Sequence, residues 1–176
     1  DLSLRPLRFW TEQGIELLRG RRVSSLDVAR RTARVGDAEL RWDALVVATG
    51  ARARTLPGTL ALRTLDDARR LASHLRPEAH LVVVGAGFVG AEVASTALGN
   101  VARVSLVEAA GVPFERVLGT DVGMLLAHRY RTHGVDLRLG TTDVPSGDVV
   151  VAGIGASPAG GIVGERAVET DACGRT

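Results

Sequence analysis

A glycine-rich hexapeptide, Gly85-Ala86-Gly87-Phe88-Val89-Gly90, constrains the fold more than any other feature of this sequence. It follows the Val-rich run 81–84, which predicts a buried strand, and precedes the small-residue run 91–98, which predicts a helix. In a G-x-G-x-x-G pattern the first glycine permits a tight turn. The second lets a pyrophosphate approach the helix N-terminus, and the third lets helix and strand pack closely. The pattern therefore predicts a dinucleotide-binding unit; the alternative is a glycine turn in another kind of α/β sheet.

An acidic residue follows the glycine motif at the spacing that is typical of a dinucleotide-binding unit. The run 101–107 predicts the next strand and ends at Glu108, 23 residues after Gly85. A carboxylate about 20 residues beyond the first glycine accepts hydrogen bonds from the ribose hydroxyls and repels a 2′-phosphate. No Arg occurs in 109–111, directly after this carboxylate. The spacing thus favours NADH over NADPH as the dinucleotide.

Composition excludes several classes of function. All 22 basic residues are Arg, there is no Lys, and the formal net charge is only +2. No aromatic residues alternate with the basic ones, so we expect no nucleic-acid partner. The single Cys173 excludes a disulfide framework, and no metal site is expected. The run 81–94 is too short for a bilayer span, so we expect no membrane partner and a cytoplasmic protein.

Further elements surround the glycine motif. The first fifty residues are predicted to be β-rich, with a hairpin that turns at Gly36-Asp37. The continuous apolar run 45–48 predicts a buried strand that ends at Thr49-Gly50. Helices are predicted from Asp66 and over 121–133, and strands over 135–139 and 148–152. The last of these strands is followed by Gly153-Ile154-Gly155, which by itself is typical of a plain strand exit.

In this order, the motifs resemble those of the ferredoxin reductase group within the FAD- and NAD(P)-dependent pyridine nucleotide-disulfide oxidoreductase superfamily. The resemblance is carried by segments 45–52, 62–68, 83–92, 104–108, 133–138 and 149–155. It implies an α/β fold with two dinucleotide-binding (Rossmann-like) domains, parallel sheets with helices and a β-meander. The NADH-binding domain is expected over 63–140, inserted in an FAD-binding domain that comprises 1–62 and 141–176.

The resemblance also implies an activity. It indicates an FAD-dependent NADH:ferredoxin oxidoreductase, which passes a hydride from NADH to the flavin and then single electrons to a [2Fe-2S] ferredoxin that serves an oxygenase. No side chain need act as a catalytic nucleophile or base, which agrees with the scattered positions of the four His residues. The alternatives are a flavoprotein of the same fold with rubredoxin, nitrite or oxygen as acceptor, and a non-catalytic NAD-binding module.

The implied cofactor contacts fall into three groups. For FAD, the resemblance points to the backbone of Val23, to Thr49 and Gly50 near the flavin, and to Arg63. It also implies cofactor contacts at Arg52, Gly153, Ile154 and Gly155. For the nicotinamide it points to Phe88, Val89 and Glu92. For the rest of NADH it points to Gly85, Ala86, Gly87, Gly90, Glu108 and Arg116.

Some of these residues have plainer interpretations, and parts of the family pattern are missing. By itself, Arg63 is typical of a solvated helix start, and Glu92 of an exposed carboxylate in the first turns of a helix. A second G-x-G-x-x-G and an Ala-Gly-Asp motif, which the family uses for FAD, do not occur in this sequence. We therefore expect the chain to be incomplete.

Overall fold

A computed structural model of the chain describes residues 4–159 together with 161 and 172. Cys173 and most of the segment after 159 lie outside the described residues. The helices are α1 (Leu7–Glu12), α2 (Leu65–Ala72), α3 (Phe88–Ala97) and α4 (Glu115–Thr132). The strands are β1 (Val23–Asp27), β2 (Thr32–Val35), β3 (Ala38–Arg41), β4 (Ala51–Ala53), β5 (His80–Val84), β6 (Arg103–Glu108), β7 (Asp136–Leu139), β8 (Val149–Ala152) and β9 (Ala156–Pro158).

The chain divides into two compact units. The central unit is Ala51–Pro158, and we call the described residues on either side of it the flanking unit. The predicted limits of the NADH-binding domain, 63 and 140, fall inside the central unit. Their assignment to cofactors stays a prediction.

A four-stranded parallel sheet forms the centre of the central unit, in the order β7-β6-β5-β8. Strand β5 is one of the two inner strands, and α3 packs on it. Its sequence over 81–84 is a continuous apolar run, as expected for a strand that is buried on both faces. Leu81, Val82 and Val83 are fully buried there. The sheet, α3 and the loops between them confirm the strand–loop–helix–strand unit predicted from the glycine motif.

Helix α2 begins at Leu65, one residue before the predicted start at Asp66. Thr64 is the N-cap, with its hydroxyl accepting from the Asp67 backbone N–H at 3.1 Å, and the Asp67 carboxylate accepts from the Thr64 N–H at 2.8 Å. Hydrogen bonds from Thr64 hold the pKa of Asp67 below its usual value of 3.8. This reciprocal capping box satisfies two N–H groups that a helix start otherwise leaves free.

The flanking unit holds an antiparallel sheet, β1-β2-β3. The predicted hairpin is confirmed as β2 and β3, with Gly36 at φ +62° in its turn. The predicted buried strand over 45–48 is wrong: this segment forms neither helix nor strand, and Val46 is 88% exposed. Among the described residues no strand lies beside it, so its backbone has no ladder partners and its apolar side chains have no cover. Helix α1 was not predicted, because six residues are too few for a helical period to show.

Two antiparallel strands, β4 and β9, pair at the ends of the central unit, with Ala51 opposite Pro158. Neither strand was predicted from the sequence, since each has only three residues. Within the described residues, no helix is both long enough and apolar enough to cross a membrane.

Candidate functional site

The loop between β5 and α3 requires its first glycine for two reasons. Gly85 has φ +97°, a left-handed value that side-chain-bearing residues avoid. A Cβ at this position would also lie 2.6 Å from the Gly153 carbonyl oxygen. The Gly85 N–H donates to the Val107 carbonyl at 2.7 Å, which ties the loop to the end of β6. Gly85 is thus a tight-turn glycine, as predicted.

The third glycine of the motif is required by packing. A Cβ on Gly90 would overlap the Gly85 carbonyl oxygen and lie 3.2 Å from Val83 Cγ1. A Cβ on Gly153 would in turn lie 3.0 Å from the Gly90 nitrogen. The end of β8 therefore packs against the start of α3, and Gly153 has a structural reason to be glycine that its local sequence does not reveal.

The second glycine has no such reason. Gly87 has φ −85°, which any residue adopts, and nothing lies within 4 Å of where its Cβ would be. Among the described residues no side chain caps α3, so the N–H groups of its first turn are free to bind an anion. Open space beside an uncapped helix N-terminus fits the pyrophosphate of a dinucleotide.

Glu108 lies against this loop. Its Oε2 accepts from the Ala86 N–H at 2.6 Å, and its Oε1 accepts from the Ala110 N–H at 2.9 Å. A carboxylate has about four acceptor positions. Two backbone bonds therefore fix its orientation and leave one position on each oxygen for a ribose hydroxyl.

The entrance of the loop is apolar and exposed. Phe88 is 65% exposed, Val89 is also exposed, and Glu92 lies in the exposed part of the next turn of α3. The Phe88 ring meets the Phe114 ring edge to face, with centroids 5.0 Å apart. Phe114 was missed by sequence reasoning, because a lone Phe after a proline has no pattern that connects it to the loop. Arg116 lies exposed in the first turn of α4, two residues after Phe114.

The positions predicted to contact FAD are divided between the units. Val23, Thr49 and Gly50 lie exposed in the flanking unit, and the Gly50 carbonyl accepts from the Ala159 N–H at 2.9 Å. Arg52 and Arg63 lie in the central unit. The Arg63 side chain donates from Nε to the Ala51 carbonyl at 3.3 Å, which gives it a structural contact with β4. An FAD role for these residues stays a prediction.

The remaining positions predicted to contact a cofactor, 153–155, follow β8. The Ile154 side chain lies beside the loop, 3.3 Å from where a Gly85 Cβ would be. Gly155 has φ +96° with open space around it, and its carbonyl accepts from the Arg54 N–H at 2.9 Å. Ile154, like Gly153, therefore borders the glycine loop, whereas Gly155 contacts Arg54.

A chain of polar contacts joins β5, β6 and β7, and it begins at His80, at the end of β5 opposite to the glycine loop. His80 Nε2 lies 2.8 Å from the buried Ser105 hydroxyl, which donates to Asp136 at 2.9 Å. Partial burial raises the pKa of Asp136, but hydrogen bonds from Ser105, Arg103 and Arg138 outweigh it and hold that pKa below its usual 3.8. His80 is thus half-buried and bonded rather than a surface residue. In the part of the chain that the structure describes, no three His, Cys, Asp or Glu side chains gather as a metal site.

Comparison with known proteins agrees with this geometry. The model of the pyridine nucleotide-disulphide oxidoreductase family matches residues 7–145. The chain belongs to this family. Putidaredoxin reductase of Pseudomonas putida is 34% identical over 90% of this chain and 45% of its own length. The chain thus spans less than half of that relative.

Two solved structures are similar to the chain. The ferredoxin reductase for the CYP199A2 system of Rhodopseudomonas palustris has a TM-score of 0.84 and 30% identity, over 93% of this chain and 47% of its own. The putidaredoxin reductase of a covalent complex with putidaredoxin has a TM-score of 0.79 and 32% identity, over 89% and 45%. The predicted family and its α/β fold with a parallel sheet and a β-meander are confirmed. Ferredoxin reductases of this family are oxidoreductases that use FAD and NAD(H).

Proposed function

We propose that this chain is part of an FAD-dependent NADH:ferredoxin oxidoreductase of the cytoplasm, in which the loop Gly85–Gly90 binds NADH. The observation that carries the proposal is the empty space beside Gly87 at an uncapped helix N-terminus, with Glu108 fixed next to it. Packing and backbone conformation account for Gly85 and Gly90, but not for Gly87. A ligand that approaches the backbone closely accounts for it.

Each part of the site has a binding role in this proposal. The free N–H groups of the first turn of α3 would hold the pyrophosphate, and the positive end of the helix dipole favours its charge. The Glu108 oxygens would each accept from one ribose hydroxyl, and the carboxylate would repel the additional phosphate of NADPH. Arg116 would lie on the adenosine side, and Phe88, Val89 and Glu92 beside the nicotinamide.

The FAD-binding part of the proposal uses Val23, Thr49, Gly50, Arg52 and Arg63, together with 153–155. It keeps the division into an NADH-binding domain over 63–140 and an FAD-binding domain on both sides. When bound, the flavin supplies the conversion of a two-electron hydride transfer into single-electron steps. The protein supplies placement and electrostatics, so no nucleophile or general base is required of this chain.

The electron acceptor in this proposal is a [2Fe-2S] ferredoxin that serves an oxygenase. A relative at 34% identity and a solved complex of such a reductase with its redox partner support that class of acceptor. We propose neither a nucleic-acid partner nor a membrane partner.

The proposal is tested by recording the visible absorption spectrum of the purified protein and then adding NADH in the absence of oxygen. We expect a flavin band that bleaches with NADH and returns when an oxidised [2Fe-2S] ferredoxin is added. Return of the band with rubredoxin, nitrite or oxygen but not with ferredoxin would favour a different acceptor. A colourless protein that still binds NADH would indicate a non-catalytic NAD-binding module.

A further inference from the structure

Ala86, at the centre of the glycine loop, is held on both sides by the segment between β6 and α4. Its N–H donates to Glu108, and its carbonyl accepts from the Phe114 N–H at 3.2 Å. The second bond is made by backbone atoms, so it does not depend on the side chain at 114. The Phe114 ring makes a separate contact, with the Phe88 ring.

The edge-to-face contact of Phe88 with Phe114 restrains an otherwise free ring. Phe88 begins α3 directly after the open position at Gly87, and a 65%-exposed ring would otherwise sample several rotamers. The two ring planes meet at 74° with centroids 5.0 Å apart, which is a favourable aromatic geometry. The half-buried Phe114 ring thus holds the exposed Phe88 ring at the side of the loop.

Phe114 is itself held in an unusual conformation. Its backbone is left-handed, at φ +57° and ψ +16°, which for a bulky residue persists only where the surroundings impose it. The preceding Val112 and Pro113 are buried against α4 at Gly123, where a Cβ would lie 2.7 Å from the Pro113 carbonyl oxygen. The two residues that precede Phe114 are therefore packed closely against α4.

We propose that Phe114 is a positioning residue for the dinucleotide site. By holding the Phe88 ring against the segment 112–114, it keeps that ring from swinging over the free N–H groups beside Gly87. This inference rests on the proposed function, because it takes Gly85–Gly90 as the NADH site. It extends that function to a residue outside the positions predicted to contact NADH.

A double-mutant cycle tests whether Phe114 acts through Phe88. We expect Phe114→Leu to weaken NADH binding about 2- to 10-fold, the range that corresponds to one aromatic pair. Phe114→Tyr keeps the ring and should restore binding to within about 2-fold of the unaltered chain. In a Phe88→Leu background, Phe114→Leu should have no further effect, since the ring that it positions is gone. Additive losses, or an unchanged Kd in Phe114→Leu, would overturn the inference.

Fluorine NMR reads the positions of the rings without NADH. The chain contains only three phenylalanines, Phe9, Phe88 and Phe114, so a 4-fluorophenylalanine-labelled protein should give three resonances. Phe114→Leu should move the Phe88 resonance toward that of a solvent-exposed ring. The matched control Phe9→Leu, which removes a different edge-to-face pair, should leave it in place. An unmoved Phe88 resonance in Phe114→Leu would overturn the contact itself.

The two proposals fail in different ways. Absence of NADH binding by the unaltered chain would refute the NADH site and with it the positioning role. Normal NADH binding by Phe114→Leu would refute only the positioning role. Thermal melting of each variant, expected within about 2–4 °C of the unaltered chain, separates these outcomes from a loss of folding.

Discussion

Replacement of Gly87 by Ala separates ligand binding from folding at the glycine loop. The backbone at Gly87 has φ −85°, and nothing in the structure lies within 4 Å of the new methyl group. Alanine therefore fits the folded chain without strain. It also reduces the conformational freedom of the unfolded chain, so Gly87→Ala should raise the free energy of unfolding by about 0.4–1 kcal/mol.

The same methyl group should impair NADH binding. It would occupy the space through which the pyrophosphate reaches the N–H groups at the start of α3. Loss of one hydrogen bond to a charged group costs about 1.5–3 kcal/mol, so the Kd for NADH should rise by about 10- to 100-fold. A variant that is at least as stable as the parent and binds NADH much less tightly is therefore expected.

Gly90→Ala is the matched control. Its Cβ would overlap the Gly85 carbonyl oxygen, so this variant should lose about 3 kcal/mol of stability and melt about 6–12 °C lower. Thermal melting and calorimetric titration with NADH should be measured on the unaltered chain and both variants. If Gly87→Ala binds NADH as tightly as the unaltered chain, the pyrophosphate does not approach Gly87 closely; if it melts as early as Gly90→Ala, the methyl group does not fit the folded chain.

The remaining predictions concern charge and capping. Glu108→Gln should weaken NADH binding about 10-fold, because one charge-assisted acceptor is lost. It should also lower the ratio of the Kd for NADPH to the Kd for NADH, because the charge that repels the additional phosphate is lost. An unchanged ratio would contradict this assignment. The lowered pKa of Asp136 means that its carboxylate stabilises the fold above pH 3.8, and that this stabilisation is lost as the pH falls through the lowered pKa. Urea unfolding of Asp136→Asn should therefore differ from that of the unaltered chain more at pH 7 than at pH 3. Thr64→Ala should cost about 1 kcal/mol in the same assay, because the N-cap bond to Asp67 is removed; no change in the midpoint would refute the capping role.

The amino-acid sequence by itself determined the dinucleotide unit. Buried parallel strands are continuous apolar runs, and a helix start with glycines at fixed spacing is a local pattern, so the type and order of the elements over 81–108 could be predicted. Their bounds could not: α3 begins at Phe88 rather than at 91, and β6 begins at Arg103 rather than at 101. The capping of α2 and the hairpin in the flanking unit are equally local, because their hydrogen bonds join residues within a few positions of one another.

Tertiary structure decided everything that depends on residues far apart in the chain. The run 45–48 has the composition of a buried strand, but a strand forms only beside a partner, and no partner lies next to it among the described residues. Gly153 packs against Gly90, and Phe114 against Phe88, through contacts that no local pattern encodes. The sequence thus specified the glycine loop and the carboxylate at the end of β6, whereas the contacts of Gly153 and Phe114 with that loop depend on tertiary packing.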